Sequence, residues 1–227
     1  MREVYILFLT HKGNRAIFKG ILALCGLLYL SIVGVAQAAP TGYVLQIELS
    51  PAVCKIDDAQ KRMRQCLEGY SLTVSGLYPE GIDQKTCETS SVAALTPVQK
   101  RLLMRIMPDE NAQARLWRSI GGCVSMNASQ YFRMMVNYAD GLNMPSEVTT
   151  PTSIRVSRDG LQQKFAQLNQ GMPLSSVQLN CDSAAKQTST MLTNIQVCYQ
   201  TNGNFKTCRV ERVASNCPAQ FVIQGSY

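Results

Sequence analysis

Residues 43–54 read YVLQIELSPAVC. Large apolar side chains (Tyr43, Leu45, Ile47, Leu49) recur at every second position, the period of a strand with one buried face. Residues 71–77, SLTVSGL, predict a second strand, closed by Pro79 and Gly81. The pattern then changes period. Thr96-Pro97 supplies a capping hydroxyl followed by proline at the first turn, so a helix opens there. Val98, Leu102, Leu103 and Ile106 share one face of it, and Pro108 stops it. Asp109 is expected to cap a second helix that runs towards Ser119 and breaks at Gly121-Gly122. Ser129 is expected to cap a third, through Tyr138 and Ala139. Ser157 is expected to cap a fourth, with Leu161, Phe165 and Leu168 at helical spacing. These stripes read as core rather than binding surface.

The last third returns to alternation. Residues 176–179 lead into Cys181, and residues 195–199 and 205–210 flank Asn202-Gly203, a hairpin signal. A strict two-residue loop sets Cys198 opposite Thr207. Setting it opposite Cys208 needs a three-residue loop, Asn202-Gly203-Asn204, or a bulge; Gly and Asn both tolerate the left-handed backbone involved. A disulfide across this hairpin is therefore predicted. A final apolar strand is predicted at 221–223. Strands, then helices, then strands predict one α+β domain over residues 39–227, with a mainly antiparallel central sheet and flanking helices.

Residues 1–20 carry Arg2, Lys12, Arg15 and Lys19; residues 21–35 are apolar, and Ala36-Gln37-Ala38 follows. A basic front, a short apolar stretch and an Ala-x-Ala site describe a signal peptide over residues 1–38. The apolar run is short for a membrane span of roughly 20 residues, and Leu24 stands before Cys25 where a lipoprotein site needs a small residue. No transmembrane segment is expected after cleavage, and the expected location is periplasmic or secreted. Eight cysteines then remain: Cys54, Cys66, Cys87, Cys123, Cys181, Cys198, Cys208 and Cys217. An even number in an exported chain reads as four disulfides.

No C-x-x-C spacing occurs, and the only histidine is His11, in the leader. Neither a metal site nor a cofactor is expected. Without imidazole, most histidine-dependent hydrolase and nuclease designs are excluded, because histidine is the side chain that titrates near neutral pH unperturbed. The formal charge of +7 falls to +4 once the leader's four cations and one anion are removed. Such a mild excess is compatible with a polyanionic partner and does not demand one.

Taken in order over nearly all of 43–227, the strand YVLQIELSPAVC, the segment LTVSGLYPEG, the WRSIGGC cysteine followed by SQYF, and the late VQLNC and IQVCY resemble the T2 ribonuclease family. The chain is identified as an exported bacterial member with degenerate active-site segments. The family's first segment, histidine-glycine-leucine-tryptophan-proline, resembles Ser75-Gly76-Leu77-Tyr78-Pro79. Its second, glutamate-tryptophan-x-lysine-histidine-glycine-x-cysteine, is similar to the run from Leu116 to Cys123. Trp117, Gly121 and Cys123 are kept. The catalytic positions have become Ser75, Leu116, Ser119 and Ile120.

Enzymes of this family turn the ribose 2′-hydroxyl onto the adjacent phosphorus and leave a 2′,3′-cyclic phosphate. One imidazole removes the 2′ proton while another protonates the departing 5′ oxygen. Ser75 is no unaided base near pH 7, and Ile120 has no exchangeable proton. Each positioned acid or base is worth about 10²–10⁴ in rate, so the resemblance implies the fold without the turnover. It also implies the pairs Cys54–Cys66, Cys87–Cys123, Cys181–Cys217 and Cys198–Cys208.

The same resemblance implies base contacts at Tyr78 and Trp117, since the family grips bases with aromatic rings beside its first segment. Stacking of this kind is worth about 1–3 kcal/mol per base, although Trp117 reads more simply as core. Glu80, Arg115 and Arg118 complete the candidate ligand contacts. Tyr78, Glu80, Arg115 and Arg118 are also what a rebuilt, weak endoribonuclease site would use. Two basic clusters, Lys61, Arg62 and Arg64, then Lys100, Arg101 and Arg105, read most simply as solvated surface. RNA held through them would be lost steeply with added salt. Asn127-Ala128-Ser129 is formally a glycosylation sequon and reads as a helix cap. The expected function is binding of RNA, another envelope polyanion or a protein partner without cleavage. The alternatives are the weak endoribonuclease and a structural or inhibitory envelope protein whose cleft Leu116 and Ile120 fill.

Overall fold

The alternation along residues 43–49 becomes strand β1 (Gly42–Leu49), with Leu45 and Leu49 sealed in the core and Gln46 and Glu48 half-buried. A computed structural model describes residues 39–183, 189–209 and 215–226, so the expected signal peptide lies outside the described residues. After β1 come α1 (Ser50–Ile56), α2 (Arg64–Leu67), β2 (Leu72–Glu80), α3 (Pro97–Ile106), α4 (Glu110–Ile120) and α5 (Ala128–Asp140). They are followed by β3 (Ile154–Ser157), α6 (Arg158–Leu168), β4 (Val177–Asp182), β5 (Met191–Tyr199) and β6 (Gln220–Ile223).

The sheet runs β2-β1-β5-β6-β3, and β4 pairs with β5. Pairing is antiparallel except for one parallel contact, Met191 with Val222. This is the expected α+β arrangement. One face of the sheet packs Leu45, Leu77, Val197 and Leu179 against Trp117, Tyr131, Phe132 and Phe165 from the helices. Tyr131 has no solvent exposure. Its hydroxyl donates to the Leu77 carbonyl (2.9 Å) and accepts from the Leu77 amide (3.1 Å), so one phenol satisfies two backbone groups at the outer edge of β2. Burial raises its pKa accordingly.

All four cysteine pairs form: Cys54–Cys66, Cys87–Cys123, Cys181–Cys217 and Cys198–Cys208. Thr96 caps α3 in a reciprocal box with Gln99, and Asp109 and Ser157 cap α4 and α6 as expected. The cap of α5 is Asn127, not Ser129: its side chain accepts from the Gln130 amide (2.9 Å) while Gln130 reaches back to the Asn127 amide (3.0 Å). The amide side chain of the sequon thus does capping work.

Three expectations fail. Residues 205–210 do not form a strand among the described residues. Phe205 makes one bridge to Tyr199, the Lys206 amide donates to the Cys198 carbonyl (3.0 Å), residues 207–209 leave the ladder, and Val210 is outside the described residues. The cause is tertiary: β1 takes one edge of β5 and β4 takes the other as far as Val197, so a local hairpin partner keeps only the end at Cys198 and Tyr199. The Cys208 amide turns to the Ser175 carbonyl instead (3.0 Å). On α3 the predicted inner stripe is only half right, because Leu103 is buried while Val98 and Leu102 are 60% and 43% exposed. Leu168, at the end of α6, is exposed as well. Strand β3 and helices α1 and α2, finally, had no clear local signal.

Candidate functional site

Along β1 and β2 the register slips by one residue: Gln46 faces Gly76, Ile47 faces Val74, and Ser75 is left as the extra residue of a bulge. Bulges re-aim a side chain out of the regular pleat. Ser75 accordingly lines a cleft of about 170 Å³ together with Glu48, Gln60, Gln65, Met107 and Asp109. Asp109 is delivered by helix capping. Its carboxylate accepts from the Asn111 amide (2.8 Å) and also holds the Arg115 guanidinium (3.4 Å).

Glu48 was not a sequence candidate. Its only signal was its place on the polar side of β1, which reads as a solvated face. The bulge and the loop carrying α2 turn that face into a cleft wall. Burial pushes the Glu48 carboxyl above the usual carboxylate range, opposed by a hydrogen bond from Gln65. A carboxyl whose pKa rises on folding favours the folded state when protonated. Its contribution is full below the ordinary carboxylate pKa and is lost as pH rises through the folded value. Glu48→Gln, which mimics the protonated form, is therefore expected to raise Tm at neutral pH. The gain should vanish below about pH 4, the ordinary range for glutamate. Thermal unfolding from pH 3 to 8 checks the sign.

The two family-like segments do meet. A Cβ on Gly76 would fall 2.9 Å from Leu116 Cδ1 and from the Tyr78 ring, so α4 rests directly on the stretch beside Ser75. Leu116 and Ile120 are 6% and 2% exposed and belong to the core. Trp117 is also core, at 4% exposure, with its ring against Tyr131 (5.9 Å) and its indole N–H donating to Ser91 Oγ (3.0 Å). It has no open face for a base, and the ligand role expected of it gives way to packing. Ser119 is exposed, its hydroxyl donating to the Leu116 carbonyl (2.8 Å). Arg115 and Arg118 are exposed too.

Tyr78 and Glu80 line a second depression of about 210 Å³, with Gln46, Gln84 and Gln196 around them. Glu80 is 2% exposed. One of its oxygens pairs with Lys206, and Oε1 has no hydrogen-bond partner among the described residues. Lys206 escaped the sequence reading because it lies in the turn that Cys198–Cys208 closes, far along the chain from β2. In the first basic cluster, Lys61 pairs with Asp58 and Arg64 with Glu68. In the second, Lys100, Arg101 and Arg105 are exposed on α3, whose end meets the cleft at Met107 and Pro108.

No family model and no curated protein sequence matches the chain. Solved structures do. Ribonuclease MC1 from bitter gourd seeds is 17% identical, covering 79% of this chain and 98% of its own with a TM-score of 0.57. Japanese pear S3-RNase is 18% identical over 79% of this chain and 98% of its own, TM-score 0.58. An RNase-related protein from Calystegia sepium is 14% identical over 81% and 97%, TM-score 0.57. A mutant of RNase MC1 in complex with 5′-UMP is similar at TM-score 0.59, 16% identity, 81% and 98% coverage. At such identities the likeness shows the fold, that of the T2 ribonucleases.

Proposed function

We propose that this chain is an exported ribonuclease-fold protein that binds single-stranded RNA through base contacts and does not cleave it. The observation that carries the reading is the cleft at Ser75, whose titratable side chains are the carboxyls of Glu48 and Asp109, in a chain with no imidazole after residue 38. RNA transesterification needs a base and an acid on opposite sides of one phosphorus, and here Asp109 is engaged by the Asn111 amide and Arg115, which leaves Glu48 alone for proton transfer. The depression on β2 supports the binding half. An aromatic ring and three glutamines match the face and the hydrogen-bonding edge of a base better than they match a phosphate. Mutants of RNase MC1, with the same fold, have been captured with 5′-UMP and with 5′-GMP.

The cation that meets this depression, Lys206, is occupied by Glu80. Binding through this depression should therefore depend only weakly on salt. A fluorescent oligoribonucleotide titrated at 50 and 200 mM salt tests it. Tyr78→Ala is expected to weaken binding by about 5–150-fold, the loss of one stacked base, with little change between the two salts. Steep salt dependence untouched by Tyr78→Ala would move the contact to Lys100, Arg101 and Arg105 and overturn the base reading. No retention at all would leave the structural or inhibitory reading. One observation favours the weak endoribonuclease instead: Glu48 shares the cleft with Ser75 and has its pKa raised towards neutrality. Cleavage abolished by Glu48→Gln would establish that second reading.

A further inference from the structure

Among the described residues the sheet has three outer edges, β2, β4 and β3, and on the first two other segments take outward backbone groups. On β2 the Tyr131 hydroxyl occupies the Leu77 amide and carbonyl. Along β4 the Leu179 carbonyl accepts from the Asn216 amide (3.2 Å) and Ser215 Oγ (2.7 Å), and the Cys181 amide donates to Asn216 Oδ1 (2.7 Å). The third edge is β3. Its register with β6, continued by the Arg158 amide donating to the Ala219 carbonyl (3.0 Å), makes Ile154–Ile223 and Val156–Phe221 the hydrogen-bonded pairs. In an antiparallel ladder the intervening residues turn their backbone groups the other way. The Arg155 amide and carbonyl and the Ser157 amide therefore face outward, and no hydrogen bond among the described residues takes them.

A groove of about 320 Å³ runs along this edge. Ile154, Val156 and Leu161 give it an apolar lining, and the Lys164–Glu147 ion pair lies in its wall. Arg155, in the same lining, is exposed and has no carboxylate partner among the described residues. From the open edge, the groove beside it and this uncompensated cation, we propose that β3 receives an extended segment of a protein partner as an added antiparallel strand, with an acidic residue set against Arg155. Main-chain pairing supplies the attachment and alternate side chains supply the selectivity. A second copy of this chain fits poorly. A two-fold pairing of β3 centred on its outward residue would set Arg155 against its own copy, and like charges directly opposite disfavour a ladder. The groove shares no residue with the cleft or with the Tyr78 depression, so this inference does not rest on RNA binding.

The test uses the oxidised, ¹⁵N-labelled protein and two probes, acetyl-Thr-Val-Glu-Val-Thr-amide and the same peptide with lysine at its centre. The acidic peptide is expected to shift the Arg155 and Ser157 amide resonances, slow their exchange, and bind roughly two- to fivefold more tightly than the basic one. Arg155→Glu should reverse that preference. Arg155→Pro, which removes an outward amide that the sheet does not use, should abolish binding while thermal unfolding is nearly unchanged. Three results overturn the proposal: no response at Arg155 and Ser157 with millimolar peptide, equal affinity for both peptides, or concentration-dependent self-association that protects β3 without any peptide.

Discussion

Incubated with RNA between pH 4 and 8, the oxidised protein is expected to turn over at least about 10⁴-fold more slowly than a two-histidine enzyme of its fold. The figure is the loss of two positioned proton-transfer groups, each worth about 10²–10⁴. Were Glu48 to replace one of them, the loss would still be about 10²–10⁴, because the cleft's other carboxyl, Asp109, is held by the Asn111 amide and Arg115. Putting the histidines back should not repair this. Ser75 lines the cleft at the bulge, so Ser75→His puts an imidazole where solvent and substrate can reach it. Ile120 is 2% exposed and packed in the same core as Leu116 and Trp117. An imidazole there would be desolvated, its pKa driven down, and its nitrogens left short of partners. The Ser75→His/Ile120→His double variant should therefore stay within tenfold of the parent in rate and be less stable. The readout is the yield of 2′,3′-cyclic phosphate ends from nuclease-free protein. Multiple turnover in the parent, lost in Glu48→Gln, would reject the binding-only reading.

How far this was readable in the sequence depends on which forces are local. The strand β1, the caps of α3, α4 and α6 and the core stripe of α6 at Leu161 and Phe165 follow from side-chain period and from hydroxyl or carboxylate chemistry next to a helix start. Such signals survive folding because the partner groups lie within one turn. The 205–210 arm stopped short because Asn202-Gly203 speaks only for its neighbours, whereas β1 and β4 hold both edges of β5 up to Val197. Strand β3 was missed for a related reason: four residues, three half-buried and Arg155 exposed, have too short a pattern to show a period.

The candidate site divides the same way. Ser75, Tyr78 and Glu80 were legible because they sit in one continuous stretch of β2 with a recognisable order. Glu48 and Lys206 were not. Each becomes chemically interesting only by meeting β2, Glu48 through the strand register and Lys206 through the Glu80 carboxylate. Trp117 shows the converse. Its family position suggested a ligand contact, but a large ring at helical spacing with Leu116 and Ile120 was always able to serve as core, and its indole N–H finds Ser91 without any ligand.

Removing the Cys87–Cys123 link by a double Cys→Ala change is expected to cost about 4 kcal/mol, the chain-entropy value for a separation of 36 residues. In a domain of this size that lowers Tm by roughly 8–15 °C. The effect should also be local, because this link fastens the end of α4 to the segment that covers it. The Gly122 amide donates to the Cys87 carbonyl (2.8 Å), and a Cβ on Gly122 would fall 2.8 Å from that same oxygen, so the two backbones touch. Two steps further out, the Thr89 amide donates to the Arg118 carbonyl (2.8 Å) and Ser91 accepts from Trp117. Without the disulfide these contacts should open before the sheet does. Trp117 is the only tryptophan in the chain, so its emission reports this region alone. The expected record is a red-shifted emission in mild denaturant that precedes loss of the far-ultraviolet signal. The Cys54–Cys66 link closes a separation of only 12 residues and should cost less, about 3 kcal/mol, without moving the Trp117 emission. If the shorter link proved the more costly, constraint of the unfolded chain would not be what Cys87–Cys123 contributes. The clamp on α4, and with it the rigid packing that keeps Ile120 out of the cleft, would need another source.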